Sequence, residues 1–275
     1  MKRVAIIADL HCGHIVGLTP PSYLHGQQPL DGPYDFVTKV RNKAFDIAAQ
    51  VWAGYVAICK AIQPVHLLIV NGDCVEGLND KNGGAELAES DVNVQVKMAA
   101  ECIRQVGAQK TAILYGTPYH TSNMQDGMQY ENNVAQIIKA DHVGAHDWPE
   151  VEGVVFDVKH FISKSAVPYG RSTAIRRAAF WNMVWADRGA QPRGSVVVRS
   201  HVHYFDFSGD ARRLGVITPA LQGFGSKYGV RDCQGIVDFG LVWFDLYDGG
   251  HKEWGWDIMG YEVTKKMDMF DSRLK

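Results

Sequence analysis

Three apolar runs in the first half of the chain constrain its fold more than any other feature. RVAIIA (residues 3–8), LLIVNGD (67–73) and TAILY (111–115) are short and β-branched, and each stays apolar until it closes. Runs of this kind read as buried strands. Between them lie stretches with helical spacing. Residues 36–62 carry Phe45, Ala49, Trp52, Val56 and Cys59 on one stripe, and Pro64 stops that helix. Further helices are predicted from about Glu86 to Val106, over 130–140 and over 171–187. VVFDVKHF (154–161) alternates like a strand, SVVVRSHVH (195–203) is strand again, and from 204 to about 263 the chain reads as strands and turns. Alternating strand and helix followed by a β-rich half predicts an α/β protein with two sheets face to face and helices outside. An α/β barrel is the rival, and the helix-poor tail argues against it. No repeat, low-complexity tract or linker interrupts the sequence, so residues 1–275 are expected to form a single domain.

Size and charge narrow the chemistry. A chain of 275 residues buries roughly three quarters of the surface its unfolded form exposes. Basic and acidic residues nearly cancel, 28 against 30, so no global field recruits nucleic acid or membrane, and partners must be chosen locally. The five cysteines form no CxxC pair and no disulfide framework, which fits reduced thiols in a cytoplasm. The start, MKRVAIIADLH, is basic then apolar like a signal peptide, but Asp9 and His11 cut the apolar run short. The longest apolar tract, VWAGYVAICKAI, reads as too short to span a bilayer and contains Lys60. A soluble, cytoplasmic protein with no membrane partner is expected.

The strand ends carry the chemistry. The first closes on Asp9-Leu10-His11, the second on Gly72-Asp73 with Glu76 just beyond, and the third on Gly116-Thr117-Pro118-Tyr119-His120. His160 closes VVFDVKH, and His201-Val202-His203 follows VVVRS. Singly, each is an ordinary turn residue. Together they place a carboxylate or an imidazole at every strand end, where ligands gather in α/β sheets. A mixed imidazole and carboxylate shell suits Zn, Mn or Fe rather than Ca. Six such residues exceed one tetrahedral zinc site, whereas two metals sharing a carboxylate account for all of them. Paired ions of this kind clamp the attacking and leaving oxygens of a phosphoryl displacement and supply hydroxide at neutral pH.

The ordered set, Asp-x-His, Gly-Asp, a Gly-x-x-His-like block, a lone His and His-x-His, resembles the calcineurin-like metallophosphoesterase family. ADLHCGH with GTPYH is similar to its bacteriophage and prophage members in particular. The resemblance implies a four-layer αββα sandwich of two mixed sheets with a dinuclear centre. It implies Asp9, His11 and His203 on one metal, His160 and His201 on the other, and Asp73 as the bridge. The implied cofactor is two divalent transition-metal ions, Mn first, with Zn, Fe or Ni as alternatives. The implied activity is hydroxide attack in line on a phosphate ester, foremost a phosphodiester of a nucleotide or nucleic acid. A phosphomonoesterase acting on a small nucleotide or phosphoprotein is the alternative, as is a metal-binding protein with a degenerate, inactive site.

The third block departs from the family pattern, which usually reads Gly-Asn-His. Thr117 stands at the Asn place and the histidine lies two residues later. Pro118 biases Thr117 towards extended backbone, so its hydroxyl is expected to reach a metal or phosphate, and the proline makes helix an awkward reading for His120. Two roles stay open for His120, general acid or replacement ligand, with the acid favoured. Of the neighbours, Cys12 and Cys74 are expected to be structural, His142 and His146 likewise, and Glu76 is a candidate to hold a ligand from behind. His14 is a candidate to touch substrate. Arg171, Arg176 and Arg177 are either a solvated helix face or phosphate-positioning groups. The loop from Gly17 to Tyr34 is expected to border the pocket, and the tail aromatics Trp243, Phe244, Tyr247, Trp254 and Trp256 to pack in strand cores.

Overall fold

The computed structural model describes residues 1–24, 36–80, 83–123, 128–210, 212–232, 237–250 and 252–259. The first half alternates strand and helix: β1 (Lys2–Ile7), α1 (Phe36–Ile62), β2 (Leu67–Asn71), α2 (Val92–Arg104) and β3 (Lys110–Leu114). Short elements follow, α3 (Pro118–Thr121), β4 (Ser122–Asn123) and β5 (Met128–Gln129), then α4 (Tyr130–Ile138) and β6 (His142–Gly144). Next come β7 (His146–Asp147), β8 (Glu150–Val151), β9 (Val154–Lys159), α5 (Arg171–Asp187) and β10 (Val196–Arg199). The chain continues with β11 (Asp206–Gly209), β12 (Leu214–Ile217), α6 (Lys227–Asp232), β13 (Phe239–Leu246) and β14 (Lys252–Met259).

Two mixed sheets result. The first runs β14-β13-β1-β2-β3-β6, parallel from β1 to β6 and antiparallel at β13 and β14. The second runs β11-β12-β10-β9-β7, with a parallel centre and antiparallel β11 and β7, while β8 pairs with β9. The period of two in a strand divides their side chains between layers. Val4, Ile6, Ile69, Val242 and Phe244 meet Phe156, Val158, Val198 and Val216 of the other sheet. The Phe156 and Phe244 rings touch edge to face at 5.2 Å. Ala5, Ile7, Leu68, Val70 and Ile113 pack with α1, α2 and α4 in a second core, and Val197 and Ile217 pack with α5 in a third. The layers are helix, sheet, sheet, helix: the α/β sandwich that the strand pattern and the resemblance imply.

The differences from expectation have local causes. Among the described side chains of α1 the buried ones are Ala44, Ala48, Val51, Tyr55, Cys59 and Ile62, so the face is rotated from the expected stripe, and Phe45, Ala49, Trp52 and Val56 are only half-buried. Apolar residues surround much of this helix, leaving the docking angle to tertiary contacts such as Tyr55 Oη donating to Cys102 O at 2.8 Å. Over Ala44–Ile62 the helix is also long and apolar enough to cross a membrane by length and composition, contrary to the shorter tract read from the sequence, yet that face lies on the first sheet. Helix α2 begins six residues later than expected. Asp91 caps it by accepting from Asn93 N at 2.8 Å, and the backbone of 86–89 bonds instead to Gly13 and Ile15. Strand β10 stops at Arg199, short of the expected His203. In the tail, Phe244 is buried and Trp243 half-buried, as expected of strand packing; the side chains of Trp254 and Trp256 lie outside the described set, as do residues 25–34 of the expected pocket loop.

Behind the second sheet, Asp157 is buried among three donors: His146 Nε2 at 2.8 Å, Asn182 Nδ2 at 2.6 Å and Arg199 Nη1 at 2.8 Å. Burial pushes its carboxyl up, but these partners outweigh burial and hold it below the ordinary value. A depressed carboxylate contributes stability that is present above its unfolded pKa and lost as pH falls through the folded one. Asp157→Ala, which strands the buried Arg199 charge, should therefore cost about 3–5 kcal/mol at neutral pH. Denaturant unfolding should show this gap between wild type and variant closing as the pH drops below about 4.

Candidate metal centre

The parallel strands of both sheets point their carboxyl ends at one edge, and the chain turns sharply there. Among the described residues eight non-glycines have positive φ, and five of them are Asp9 (53°), His11 (45°), Asp73 (50°), His201 (78°) and His203 (55°). Left-handed backbone costs a non-glycine residue roughly 1–3 kcal/mol and persists only where the surroundings enforce it. The enforcement is visible: Asp9 N donates to Gly72 O (3.1 Å), His11 N to Asp73 O (3.0 Å), and His201 N to Asp9 Oδ2 (3.2 Å). The ends of β1 and β2 are thus laced together, with the second sheet tied to them.

The six residues singled out from the strand ends form two groups. Asp9, His11 and His203 converge, and so do Asp73, His160 and His201; within each group the available ligand atoms lie within 4.8 Å of one another. The groups adjoin, since His160 Nε2 lies 3.0 Å from Asp73 Oδ2 and 3.9 Å from Asp9 Oδ1. All six are buried except His201, which is half-buried.

The hydrogen-bond pattern tests whether a cation fits. His160 Nδ1 lies 2.6 Å from the carbonyl of Asn71; a carbonyl only accepts, so Nδ1 bears the proton and a neutral ring turns its Nε2 lone pair towards Asp73. His11 Nδ1 bonds to Glu76 Oε2 at 2.9 Å, which directs its Nε2 lone pair to His203 Nε2, 3.2 Å away. Asp9 Oδ1, His160 Nε2 and His203 Nδ1 are buried and make no hydrogen bond. Lone pairs and carboxylate oxygens aimed at each other need positive charge between them. Oriented imidazoles backed by a carboxylate and a carbonyl are the arrangement in which histidine binds metal, so these residues fit divalent ions. Glu76 supplies that backing to His11. A third group, His11, Glu76 and His120, is also close enough to share an ion, but both oxygens of its Glu76 carboxylate already take hydrogen bonds, from His11 and Asn79.

Protonation in the metal-free protein follows the same logic. Burial pulls His160 down, but the pairing with Asp73 wins and raises it to about 9. Burial pushes Asp73 up, yet His160, His120 and His11 hold it well below the usual range; for Asp9 the opposing partners are His203 and His160. Burial, assisted by His160, lowers His201 to about 4. Burial also lowers His11, and its hydrogen bond to Glu76 brings that carboxyl down to about 2 against burial.

The third block sits differently from expectation. Pro118 starts a one-turn helix, a position where its missing N–H costs nothing, and His120 is on that turn. His120 Nδ1 donates to Glu76 O at 2.7 Å, so Nε2 is left for other partners. Thr117 is turned to Asp73: its N and Oγ1 both reach Asp73 Oδ1, at 2.7 and 3.0 Å. Its hydroxyl therefore holds a carboxylate in place.

A cavity of about 420 Å³ opens over the centre. His14 lines it, 3.7 Å from Glu86. Arg171, Arg176 and Arg177 do not line it: Arg176 bonds Ser208, Arg177 bonds Ser163 and Arg171 lies over Tyr204. The cations at its mouth are Lys164 and Arg231, both paired with Asp232. Sequence reasoning passed over these and Tyr228, whose hydroxyl donates to His201 O; the one signal was the KYGVRD stretch, with its aromatic between two cations. Cys12 and Cys74 are buried, and Cys12 Sγ donates to Leu18 O. His142 and His146 lie elsewhere, paired with Asp147 and Asp157.

No protein-family model and no curated protein matches this sequence. Solved structures similar to it include Vps29 of Chaetomium thermophilum (9% identity, 94% of this chain and 95% of that one, TM-score 0.43). Others are a novel archaeal phosphodiesterase (11%, 94% and 100%, TM-score 0.42) and Vps29 of Entamoeba histolytica complexed with Zn (7%, 94% and 99%, TM-score 0.40). At such TM-scores these likenesses add nothing to the geometry of the site itself.

Gly116 offers a direct check on the packing of the third block. A Cβ there would lie 1.9 Å from Asp73 Oδ1 and 2.3 Å from Asp73 N. Gly116→Ala should cost about 1–3 kcal/mol through overpacking and displace Asp73. Thermal unfolding should show the lowered midpoint, and a midpoint equal to wild type would contradict the close approach.

Proposed function

We propose that this chain is a metal-dependent phosphoesterase of the calcineurin-like metallophosphoesterase type, acting foremost on phosphodiesters. The observation that carries the reading is the convergence of Asp9, His11, Asp73, His160, His201 and His203, five of them on strained left-handed backbone. In this reading Asp9, His11 and His203 hold one divalent ion, His160 and His201 another, and Asp73 touches both, with Mn the first candidate and Zn, Fe or Ni the alternatives. Ions so held act as Lewis acids on a phosphoryl group and supply hydroxide at neutral pH. The two sheets then serve as one catalytic domain.

The chain's own residues do the rest. Thr117 fixes the Asp73 carboxylate, and Glu76 fixes His11. Lys164 and Arg231 at the cavity mouth attract the anionic ester. His120 is held by its Nδ1 bond to Glu76 O, so its Nε2 is the nitrogen that delivers a proton to the leaving oxygen. That bond fixes the ring as the Asn71 bond fixes His160, so the geometry serves an acid and a ligand alike; the acid is the role we assign, because the other six residues already supply a ligand set. A metal-binding protein without turnover is the reading that remains if hydrolysis is absent.

Elemental analysis after loading with Mn should find close to two ions per chain in wild type and loss at both positions in Asp73→Ala. Loss of a single ion would make Asp73 a terminal ligand, and at most one ion in wild type would overturn the dinuclear centre.

The role of His120 separates by leaving group. Acid catalysis contributes about 10²–10⁴-fold when the leaving oxygen is basic and little for nitrophenolate. His120→Ala should keep its metals and lose far more rate on alkyl esters than on nitrophenyl esters. Equal losses on both, with an ion missing, would make His120 a ligand.

A further inference from the structure

A second cavity, about 610 Å³, lies beside the centre along α5, and its walls are basic and aromatic. Trp181, Trp185, Phe161, Lys159 and Arg177 line it. Trp181 and Trp185 are 50% and 42% exposed, with ring planes within 28° of parallel and centroids 6.2 Å apart. Large aromatics in solvent at this density are unusual for a surface whose only task is solubility. Arg177, Trp181 and Trp185 stand four residues apart, on one face of the helix, and Arg188 extends the row over the Trp185 ring at 5.4 Å.

Charge singles out the same segment. Residues 159–193 hold seven lysines and arginines and one acid, Asp187, in a chain whose net charge is −2. The segment also continues into the centre. It starts at Lys159, next to His160; the Phe161 ring, 55% exposed, lies 4.9 Å from the His201 ring and lines the second cavity, while Lys164 lines the first. Phe161 thus joins the two: it lines the second cavity and its ring contacts His201, which lines the first.

We propose that this groove is the track of a single-stranded polynucleotide, whose bases stack on Trp181, Trp185 and Phe161 while Arg177 and Lys159 follow its phosphates into the metal centre. The proposal rests on the phosphodiesterase reading and specifies its substrate as a polymer. Flat aromatic faces alternating with cations match a strand whose bases are unpaired. A duplex hides those faces, and a mononucleotide fills the first cavity without reaching the second. A second copy of this chain would bury the aromatics equally well, but two such faces would bring like charges together, which a polyanion neutralises.

The test is binding of a fluorescein-labelled 12-nucleotide oligothymidylate in chelator, followed by anisotropy, so that no turnover is needed. Wild type should bind, and affinity should fall with salt by a slope of about 0.7 per neutralised phosphate. Trp181→Ala should weaken binding by about tenfold or more, and Arg177→Ala should reduce the salt slope by about 0.7. Both residues are exposed, so circular dichroism and thermal unfolding should match wild type. Hydrolysis of bis-nitrophenyl phosphate by metal-loaded Trp181→Ala should be unchanged, whereas a nuclease product ladder on the oligonucleotide should be lost. Absent binding, or equal binding by wild type and both variants, overturns the track and leaves the phosphoesterase reading standing if the small ester is still cleaved. Sedimentation showing a dimer that Trp181→Ala dissociates, with no oligonucleotide bound, would make the face an interface between copies and overturn the proposal as well.

Discussion

The burial of two carboxylates, Asp9 and Asp73, where the sheets meet is the constraint on which the rest of this structure depends. A buried carboxylate is costly unless it is paired or hydrogen-bonded, and the nearest imidazoles, His160 at 3.0 Å from Asp73 and His203 at 3.3 Å from Asp9, both come from the other sheet. The acids and their partners thus fix how the sheets dock. Hydrogen bonds reinforce the join: His201 N donates to Asp9 Oδ2, and Asn71 Nδ2 donates to Ser200 Oγ, which in turn bonds Thr218 Oγ1. The apolar layer between the sheets supplies the driving force, but hydrophobic contact is non-directional. The polar edge sets the register.

That edge is strained, and the strain has a geometric origin. An extended strand sends successive side chains to opposite faces, so Asp9 and His11 could face one point from a continued strand, but not together with Asp73, His201 and His203 from neighbouring turns. Left-handed residues after β1, β2 and β10 let the chain reverse within a step or two and turn all five inwards. Gly72 and Gly116 make room for this: a Cβ on Gly72 would stand 2.6 Å from His160 Nδ1, just as one on Gly116 would strike Asp73.

The third block is built around Asp73 and Glu76. Thr117 spends its hydroxyl on Asp73. His120, on the helical turn that follows, returns to the centre through the carbonyl of Glu76. Glu76 therefore serves twice, with its carboxylate on His11 and its carbonyl on His120. Glu131, pushed up to about 8 by burial and by nearby Asp73, lies against the same glycine and completes the packing behind the block.

Much of this could be read from the sequence because strands announce themselves locally. Uninterrupted β-branched runs needed no partner to be recognised, and the residues closing them are fixed by chain position alone, so Asp9, His11, Asp73, His160, His201 and His203 could be picked out together. What the sequence could not supply is any property that depends on which surfaces meet. Helix α1 is apolar on several sides, so only the sheet beneath it chose Tyr55 over Trp52. The segment from Glu86 looked helical until the loop after β1 took its backbone hydrogen bonds. Arg171, Arg176 and Arg177 looked poised for phosphate by charge density, yet Arg177 faces the neighbouring groove, and the cations at the cavity are Lys164, from the loop before α5, and Arg231, from α6. Local chain chemistry determined the strands and their chemically active ends. Only the packing of two sheets decided which of those ends share a centre, because contact across the sandwich joins residues nearly two hundred positions apart.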